Sequence, residues 1–261
     1  MATAHATYTY CVVAHATRPR TPRTGGLPGV GPVRIIDVDR GLYLAVADAP
    51  LDQYGTDAIN RGLANLDWVS RAAVAHEAVV ESFAGASAVL PMKLFTIFTS
   101  DDRALAHVRS QRTRIAATAR RVANHQEWGV RVILDRAPAA ANPSGARGAG
   151  GGPNGRPSGI AYLTQKKVQR DAGLERARRA HATIAALYDR LAAYATLARR
   201  KAPRELPVQG GPLVLDAAFL VPRRRARSFQ SLARREAKSL APLGYGLALT
   251  GPWPPYSFVG E

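Results

Sequence analysis

The sequence predicts an α+β protein of two domains, each a ferredoxin-like or modified ferredoxin-like sheet with helices packed on it. Segments rich in β-branched and aromatic residues alternate with segments whose apolar residues recur at helical spacing. These form two series, separated at 137–159 by a stretch with four prolines, seven glycines and no acidic residue. A chain of 261 residues has room for two small domains. We therefore expect an N-terminal domain at 1–136, a linker or long loop at 137–159 and a C-terminal domain at 160–261.

The N-terminal domain is predicted from turn, stripe and capping signals. Asp39-Arg40-Gly41 separates two apolar segments and is typical of a hairpin turn. Apolar residues recur at three- and four-residue steps from Trp68 to Phe83, which predicts an amphipathic helix. Ser100 followed by two aspartates predicts the start of a second helix. The expected elements are strands at 7–14, 33–37 and 42–47, a loop at 17–32, a helix at 66–84, one or two short strands at 87–99, a helix at 100–125 and a strand at 129–134.

The C-terminal domain is predicted around one long basic helix. Apolar residues recur at helical spacing from Leu174 to Tyr194, and Pro203 and Pro207 end the helical segment. The apolar run at 213–221 is typical of a central strand. The expected elements are a strand at 160–164, the long helix at 165–200, a strand at 213–221, an arginine-rich helix at 229–240 and a strand at 245–250.

The composition indicates a strongly basic protein of a reducing compartment. Lys and Arg number 36 against 19 Asp and Glu, which gives a net charge of +17. A single cysteine excludes an intramolecular disulfide, and no apolar run is long enough to span a membrane. We therefore expect a cytoplasmic protein with no membrane span. Its charge is suited to nucleic acid, an anionic membrane surface or an acidic protein partner.

No motif in the sequence predicts catalysis, a metal or a cofactor. His76 and Glu77 are adjacent, but the zincin pattern requires a second histidine where Val80 stands. Cys11 lies within the first apolar strand, where an inert buried thiol is expected. The glycines at 145–159 lack the Lys-Ser/Thr pair and the preceding strand of phosphate-binding loops. We therefore expect no enzymatic activity, no metal ligand and no cofactor.

Two groups of residues are candidates for binding a partner. The densest basic cluster lies at the start of a helix, where cations oppose the helix dipole. A solvated face, an acidic partner and nucleic acid are all open explanations, although the aromatic strand motif of RNA-recognition domains is absent. The tail sequence Trp-Pro-Pro-Tyr either is an exposed polyproline ligand or packs back on its domain, and we favour packing. The candidates are Arg223, Arg224, Arg225, Arg227, Arg234, Arg235, Trp253 and Tyr256.

Several short strings occur in an order that points to one family. They are YTYCVV at 8–13, AHEAVV at 75–80, VLPMK at 89–93, TIF at 96–98, WGVRV at 128–132, AYL at 161–163 and LTGPWPPYSFV at 249–259. On these strings the chain resembles the gas vesicle protein F/L family (GvpL/GvpF) over nearly its whole length. Lys93 stands where this family usually has arginine, and Leu94 and Phe95 supply no glycine for a tight turn. The segments at 17–32 and 137–159 look like insertions.

The resemblance implies a non-enzymatic accessory protein of gas vesicle formation, cytoplasmic and associated with the vesicle. It implies two α+β domains and binding to the small hydrophobic shell protein and to other accessory proteins. The strings do not separate the F-like type from the L-like type. A nucleic-acid-binding protein is the alternative function that the charge suggests, although nucleic acid is the less expected partner.

Overall fold

The computed structural model describes residues 4–134, 159–201 and 211–259 and contains two sheets with helices on each. The predicted α+β class is confirmed. The strands are β1 (His5–Ala14), β2 (Arg34–Asp39), β3 (Leu42–Pro50), β4 (Ala88–Pro91), β5 (Ile97–Phe98), β6 (His125–Leu134), β7 (Leu197–Arg200), β8 (Leu213–Pro222) and β9 (Tyr245–Trp253). The helices are α1 (Leu51–Tyr54), α2 (Thr56–Gly62), α3 (Leu66–Ser82), α4 (Asp101–Ser110), α5 (Arg112–Val122), α6 (Gly159–Ala192), α7 (Ala226–Leu240) and α8 (Tyr256–Val259), with 3-10 turns at Arg223–Arg225 and Ala241–Leu243.

The first of two compact units comprises the described residues of Met1–Trp128, Leu220–Ala226 and Thr250–Glu261. Its antiparallel sheet has the order β2-β3-β1-β4, and β5 also pairs with β1. β1 is buried along most of its length, because it is central and both faces of the sheet are covered. On one face, Tyr8, Tyr10 and Cys11 pack with α3 in the main core. On the other, Val12 pairs with Leu90 beneath α4 and α5.

Helix α3 confirms its prediction, because an apolar stripe and an N-cap coincide. The Asn65 side chain accepts a 3.1 Å hydrogen bond from the backbone N–H of Trp68. From the predicted stripe, Ala72, Val79 and Phe83 are buried in the main core. One face of α3 is therefore fixed against the sheet.

The helix predicted from Ser100 to about His125 is two helices. Its predicted start is confirmed, because the Ser100 hydroxyl accepts a 3.3 Å hydrogen bond from the Arg103 N–H. At Gln111 the backbone leaves helical geometry, and α5 follows directly. The next strand begins at His125, earlier than the predicted 129.

The second unit comprises the described residues of Gly129–Phe219 and Arg227–Leu249. Its sheet has the order β7-β8-β6-β9, and its elements run strand, helix, strand, strand, helix, strand along the chain. The amphipathic helix α7 buries Phe229 and Leu232, and the Phe229 ring lies 5.5 Å from that of Phe219. Arg190 on α6 donates two 2.7 Å hydrogen bonds to the Glu236 carboxylate on α7. This bidentate pair joins the two helices.

Three predictions are wrong, two for the second half of the chain and one for β6. The segment predicted as a strand at 160–164 is the start of α6, since a short apolar run does not distinguish a strand from a helix. The helix ends at Ala192, and the end of the predicted helix is β7. Lys201 N–H, beside β7, donates a 2.7 Å hydrogen bond to the Asp216 carbonyl on β8, so strand pairing overrides helix propensity. The strand β6, predicted to close the first domain, lies inside the second sheet.

Part of the predicted organisation concerns residues outside the described ranges. The linker at 137–159 is outside them except for Gly159, which begins α6, and so are Pro203 and Pro207. The domain boundaries therefore stay a prediction. The ferredoxin-like detail of the two domains is not confirmed, and the first sheet has an additional strand. Within the described ranges, no helix is long and apolar enough to cross a membrane.

Candidate partner-binding site

Arg223, the first residue of the predicted basic cluster, forms hydrogen bonds to backbone carbonyls of the first unit. Its guanidinium Nη2 donates hydrogen bonds of 2.6 Å to the Ala84 carbonyl and 2.9 Å to the Ala86 carbonyl. Its backbone N–H donates a 2.9 Å hydrogen bond to the Asn124 carbonyl. These carbonyls follow the C-terminal end of α3, where a cation is favourable. We therefore assign Arg223 a structural role in the first unit.

Arg224 and Arg225 are the exposed part of this cluster in the first unit. They continue the 3-10 turn that Arg223 begins, and both side chains are exposed. Among the described residues, neither forms an ion pair. Their two positive charges are therefore accessible from solvent.

The other three arginine candidates lie on α7 in the second unit. Arg227, Arg234 and Arg235 are exposed, while the opposite face of the helix is buried. Arg227 and Arg234 are seven residues apart, so they lie on the same side of the helix. This side of α7 presents positive charge to solvent.

The Trp-Pro-Pro-Tyr tail packs, as favoured from the sequence, but it packs on the first unit and not on the predicted C-terminal domain. Pro255 is buried, and Phe258 is only 1% exposed. Trp253 is partly exposed and walls a cavity of about 260 Å³ together with Pro254 and Glu81. Trp253 therefore offers an aromatic surface beside a carboxylate.

The tail is held by charged groups of the first unit. Ser257 donates to the Glu127 carboxylate through its backbone N–H at 2.7 Å and its hydroxyl at 2.6 Å. Arg121 donates a 2.8 Å hydrogen bond to the Phe258 carbonyl. The Tyr256 hydroxyl donates a hydrogen bond to Glu77, so the candidate residue Tyr256 also stabilises the first unit.

Glu77 belongs to a group of three glutamates beside the tail. Burial raises the pKa of Glu77, and the nearby charges of Glu81 and Glu127 raise it further. The hydrogen bond from Tyr256 opposes this shift. The ionised form of Glu77 is therefore unfavourable in the folded first unit.

His76 and Cys11, which sequence analysis considered for chemistry, lie in the core of the first unit. The Tyr8 hydroxyl is 2.7 Å from His76 Nδ1, and burial lowers the pKa of His76 to about 4. The neutral imidazole accepts this hydrogen bond from Tyr8 at Nδ1 when its proton is on Nε2. Burial raises the pKa of the Cys11 thiol, which opposes thiolate formation. No group of three metal-ligating side chains occurs in the described ranges.

The first unit has a groove that the sequence does not predict as a site. It encloses about 420 Å³, and its floor is formed by the buried Val12 and Leu90. Ile115 on α5 adds an apolar wall, and the exposed side chains of Lys93 and Arg114 are part of the lining. The elements β1, β4 and α5 that contribute these residues are distant in sequence, so no local pattern predicts the groove. Two sequence signals lie near it: the lysine at 93 in place of the family's usual arginine, and the candidate residue Tyr256, which is also part of the lining.

The segment after β4 makes a tight turn, although it has no glycine. Thr96 N–H donates a 3.1 Å hydrogen bond to the Lys93 carbonyl, which closes the turn. Phe95 takes the left-handed conformation with φ of 63°. Its ring stacks on Trp68 with centroids 5.0 Å apart. Packing of the ring therefore compensates for the missing glycine.

Comparisons with known proteins place the chain in a family. The family model for "Gas vesicle synthesis protein GvpL/GvpF" matches residues 6–260. Gas vesicle protein L of Streptomyces sp. (strain CB03234) is 30% identical over 240 residues, which cover 90% of this chain and 86% of that protein. The crystal structures of GvpF from Anabaena sp. PCC7120 and from Microcystis aeruginosa share the fold, each with a TM-score of 0.67, at 15% and 16% identity. Both cover 98% of this chain, and the aligned parts are 97% and 99% of those chains. The chain therefore belongs to the GvpL/GvpF family of gas vesicle synthesis proteins.

Proposed function

We propose that this protein is an accessory factor of gas vesicle assembly that works by binding other proteins. Its partners are the small hydrophobic shell protein and further accessory proteins of the vesicle, and it acts in the cytoplasm in association with the vesicle. The observation that carries the proposal is the family match over residues 6–260, which spans both compact units. By limiting premature aggregation of shell subunits, such a factor aids their assembly.

The described side chains support a binding role more than a catalytic one. His76 accepts a hydrogen bond within the core, and burial disfavours the Cys11 thiolate. By contrast, Arg224, Arg225 and the Trp253 ring are accessible from solvent. Arginine and tryptophan are among the residues that contribute most to protein interfaces. We therefore assign the protein no enzymatic reaction.

Gene deletion tests the role in assembly. In a strain that makes gas vesicles, removal of this gene should abolish or reduce buoyant cells and vesicles seen by electron microscopy. Expression of the full chain from a plasmid should restore them. Normal vesicles in the deletion strain would show that the protein is not required for assembly.

Co-purification tests binding and the role of the basic cluster. Tagged full chain co-expressed with the shell protein should retain it at moderate salt. The double substitution Arg224→Glu and Arg225→Glu should reduce retention, because it reverses charge at an exposed site. Arg61→Glu with Arg71→Glu is the matched control, since both residues are exposed in the first unit and the charge change is the same. Equal retention by the two double variants would limit the role of Arg224 and Arg225 to solubility.

A salt titration separates this proposal from the nucleic-acid alternative. A basic protein that binds RNA or DNA through phosphates shows an affinity that falls steeply with salt. We expect only weak binding of random duplex DNA and single-stranded RNA at moderate salt. Micromolar or tighter binding there would favour the alternative.

A further inference from the structure

The groove over Val12 and Leu90 combines an apolar floor with positive charge at its lining. No acidic side chain occurs among the described residues that line it. Lys93 and Arg114 are exposed there, and neither forms an ion pair with a described residue. Arg114 donates a hydrogen bond to the neutral amide of Gln111. The charge of the groove is therefore left uncompensated by the fold.

Hydrogen bonds to buried side chains fix the turn that carries Lys93. The Phe95 N–H donates a 3.4 Å hydrogen bond to the Tyr8 hydroxyl, and that hydroxyl lies 2.7 Å from His76 Nδ1. Tyr8 and His76 are buried, so this support belongs to the core. The left-handed conformation of Phe95 costs roughly 1–2 kcal/mol, which the surrounding contacts must offset. The fold thus maintains an unfavourable backbone conformation beside the groove.

We propose that this groove binds an acidic, apolar segment of a partner protein in gas vesicle assembly. Apolar side chains of the segment cover Val12 and Leu90, and its carboxylates pair with Lys93 and Arg114. The inference rests on the proposed function, since it requires that the protein act by binding other proteins. Charge complementarity favours an acidic segment, and the apolar floor favours a protein over a nucleic acid.

The dimensions of the groove fit this occupant. Its volume of about 420 Å³ lies within the roughly 300–1,000 Å³ range of small-molecule sites, which leaves room for a few apolar side chains of a segment. An apolar segment that enters it leaves the carboxylates at exposed positions, where salt screens their attraction to Lys93 and Arg114. Binding should therefore weaken as salt increases, without vanishing.

Peptide titration with the full chain tests the groove directly. Overlapping labelled peptides that cover the shell protein and the co-encoded accessory proteins are titrated by fluorescence anisotropy at low and moderate salt. We expect at least one acidic, apolar peptide to bind. Its copy with Asn and Gln in place of Asp and Glu should bind more weakly.

The groove variant is Lys93→Glu with Arg114→Glu, and Arg61→Glu with Arg71→Glu again serves as the matched control. Reversal of both groove charges should weaken the acidic peptide by about tenfold or more, whereas the control should leave its affinity unchanged. Lys93→Gln with Arg114→Gln should produce a smaller loss, because it removes the charges without reversing them. Urea unfolding of each variant confirms that the loss does not reflect unfolding.

Several results would overturn the inference. These are the absence of any binding acidic peptide, equal binding by the Asn and Gln copy, and equal peptide affinity in the groove and control variants. Displacement of the bound peptide by single-stranded RNA at the same salt would identify a nucleic-acid site instead. If the full chain still retains the shell protein in these cases, the proposed function stands and only the groove assignment fails. Normal vesicles in the deletion strain would separately show that the proposed function is wrong.

Discussion

Acidification should destabilise the first unit through the buried imidazole of His76. Burial lowers the pKa of His76 from 6.5 to about 4 in the folded protein. Between these two values the unfolded chain binds more protons than the folded chain. The free energy of unfolding therefore falls as the pH is lowered through this window, and the contribution is fully present only above about pH 6.5.

The size of the effect follows from the two pKa values. At about pH 5 the unfolded imidazole is mostly protonated and the folded one mostly neutral, so stability falls by about 2 kcal/mol relative to about pH 7.5. This corresponds to a roughly 30-fold change in the unfolding equilibrium constant. Protonation also removes the acceptor for the Tyr8 hydroxyl, because both ring nitrogens become donors.

Tryptophan fluorescence isolates the relevant transition. Trp68, Trp128 and Trp253, the only tryptophans of the chain, all belong to the first unit. Urea unfolding of the wild-type protein and of His76→Gln is measured at several pH values. Glutamine keeps an acceptor for Tyr8 but does not titrate, so the wild-type advantage over the variant should shrink by about 2 kcal/mol from about pH 7.5 to about pH 5. His107→Gln, at an exposed position, is the control.

A pH-independent difference between wild type and His76→Gln would refute this reasoning. Such a result would mean that His76 titrates alike in the folded and unfolded states. An equal pH dependence in His107→Gln and His76→Gln would point to a general effect of net charge instead.

Three further substitutions test other contacts by urea unfolding. Phe95→Gly should be about 1 kcal/mol more stable than Phe95→Ala, because both variants lose the stack on Trp68 but only glycine adopts a φ of 63° without strain. Equal stability of the two variants would contradict the strained turn. Glu77→Gln should stabilise the first unit at neutral pH, because the ionised form of a carboxyl of raised pKa is unfavourable in the folded state. This gain in the free energy of unfolding should diminish as the pH falls through that pKa. A variant less stable than the wild type at neutral pH would contradict the raised pKa. In the second unit, Glu236→Gln should lower the free energy of unfolding by about 1 kcal/mol, measured by circular dichroism; the value is low because Arg190 is half exposed. This loss should disappear below the lowered pKa of Glu236. No loss at neutral pH would argue against the bidentate pair.

Local patterns predicted much of the secondary structure. The stripe from Trp68 to Phe83 and the cap at Ser100 are determined by residues close in sequence, and both are confirmed. By contrast, Leu197–Arg200 has no strand-like pattern of its own. Its pairing beside Asp216 on β8 depends on residues distant in sequence, so local sequence patterns do not predict it.

The candidate site was less predictable, because an arginine's role depends on what lies opposite it. Arg223 and Arg224 are neighbours of the same type, yet Arg223 binds the carbonyls after α3 while Arg224 is exposed. No periodicity distinguishes them. Similarly, Lys93 and Arg114 line the same groove only because β4 and α5 pack together. The gas vesicle assignment, in contrast, was carried by ordered strings and is confirmed by the family match.

The composition of the first unit has a consequence for biosynthesis. Met1–Trp128 is synthesised first, but the first unit also includes Leu220–Ala226 and Thr250–Glu261, which are synthesised later. Until then Arg223 cannot bind the carbonyls after α3, and the site of the buried Phe258 ring is unfilled. The nascent chain therefore carries an incomplete first unit, with apolar surface open to solvent, through most of its synthesis. The chain is therefore at greater risk of aggregation during its synthesis than after the first unit is complete.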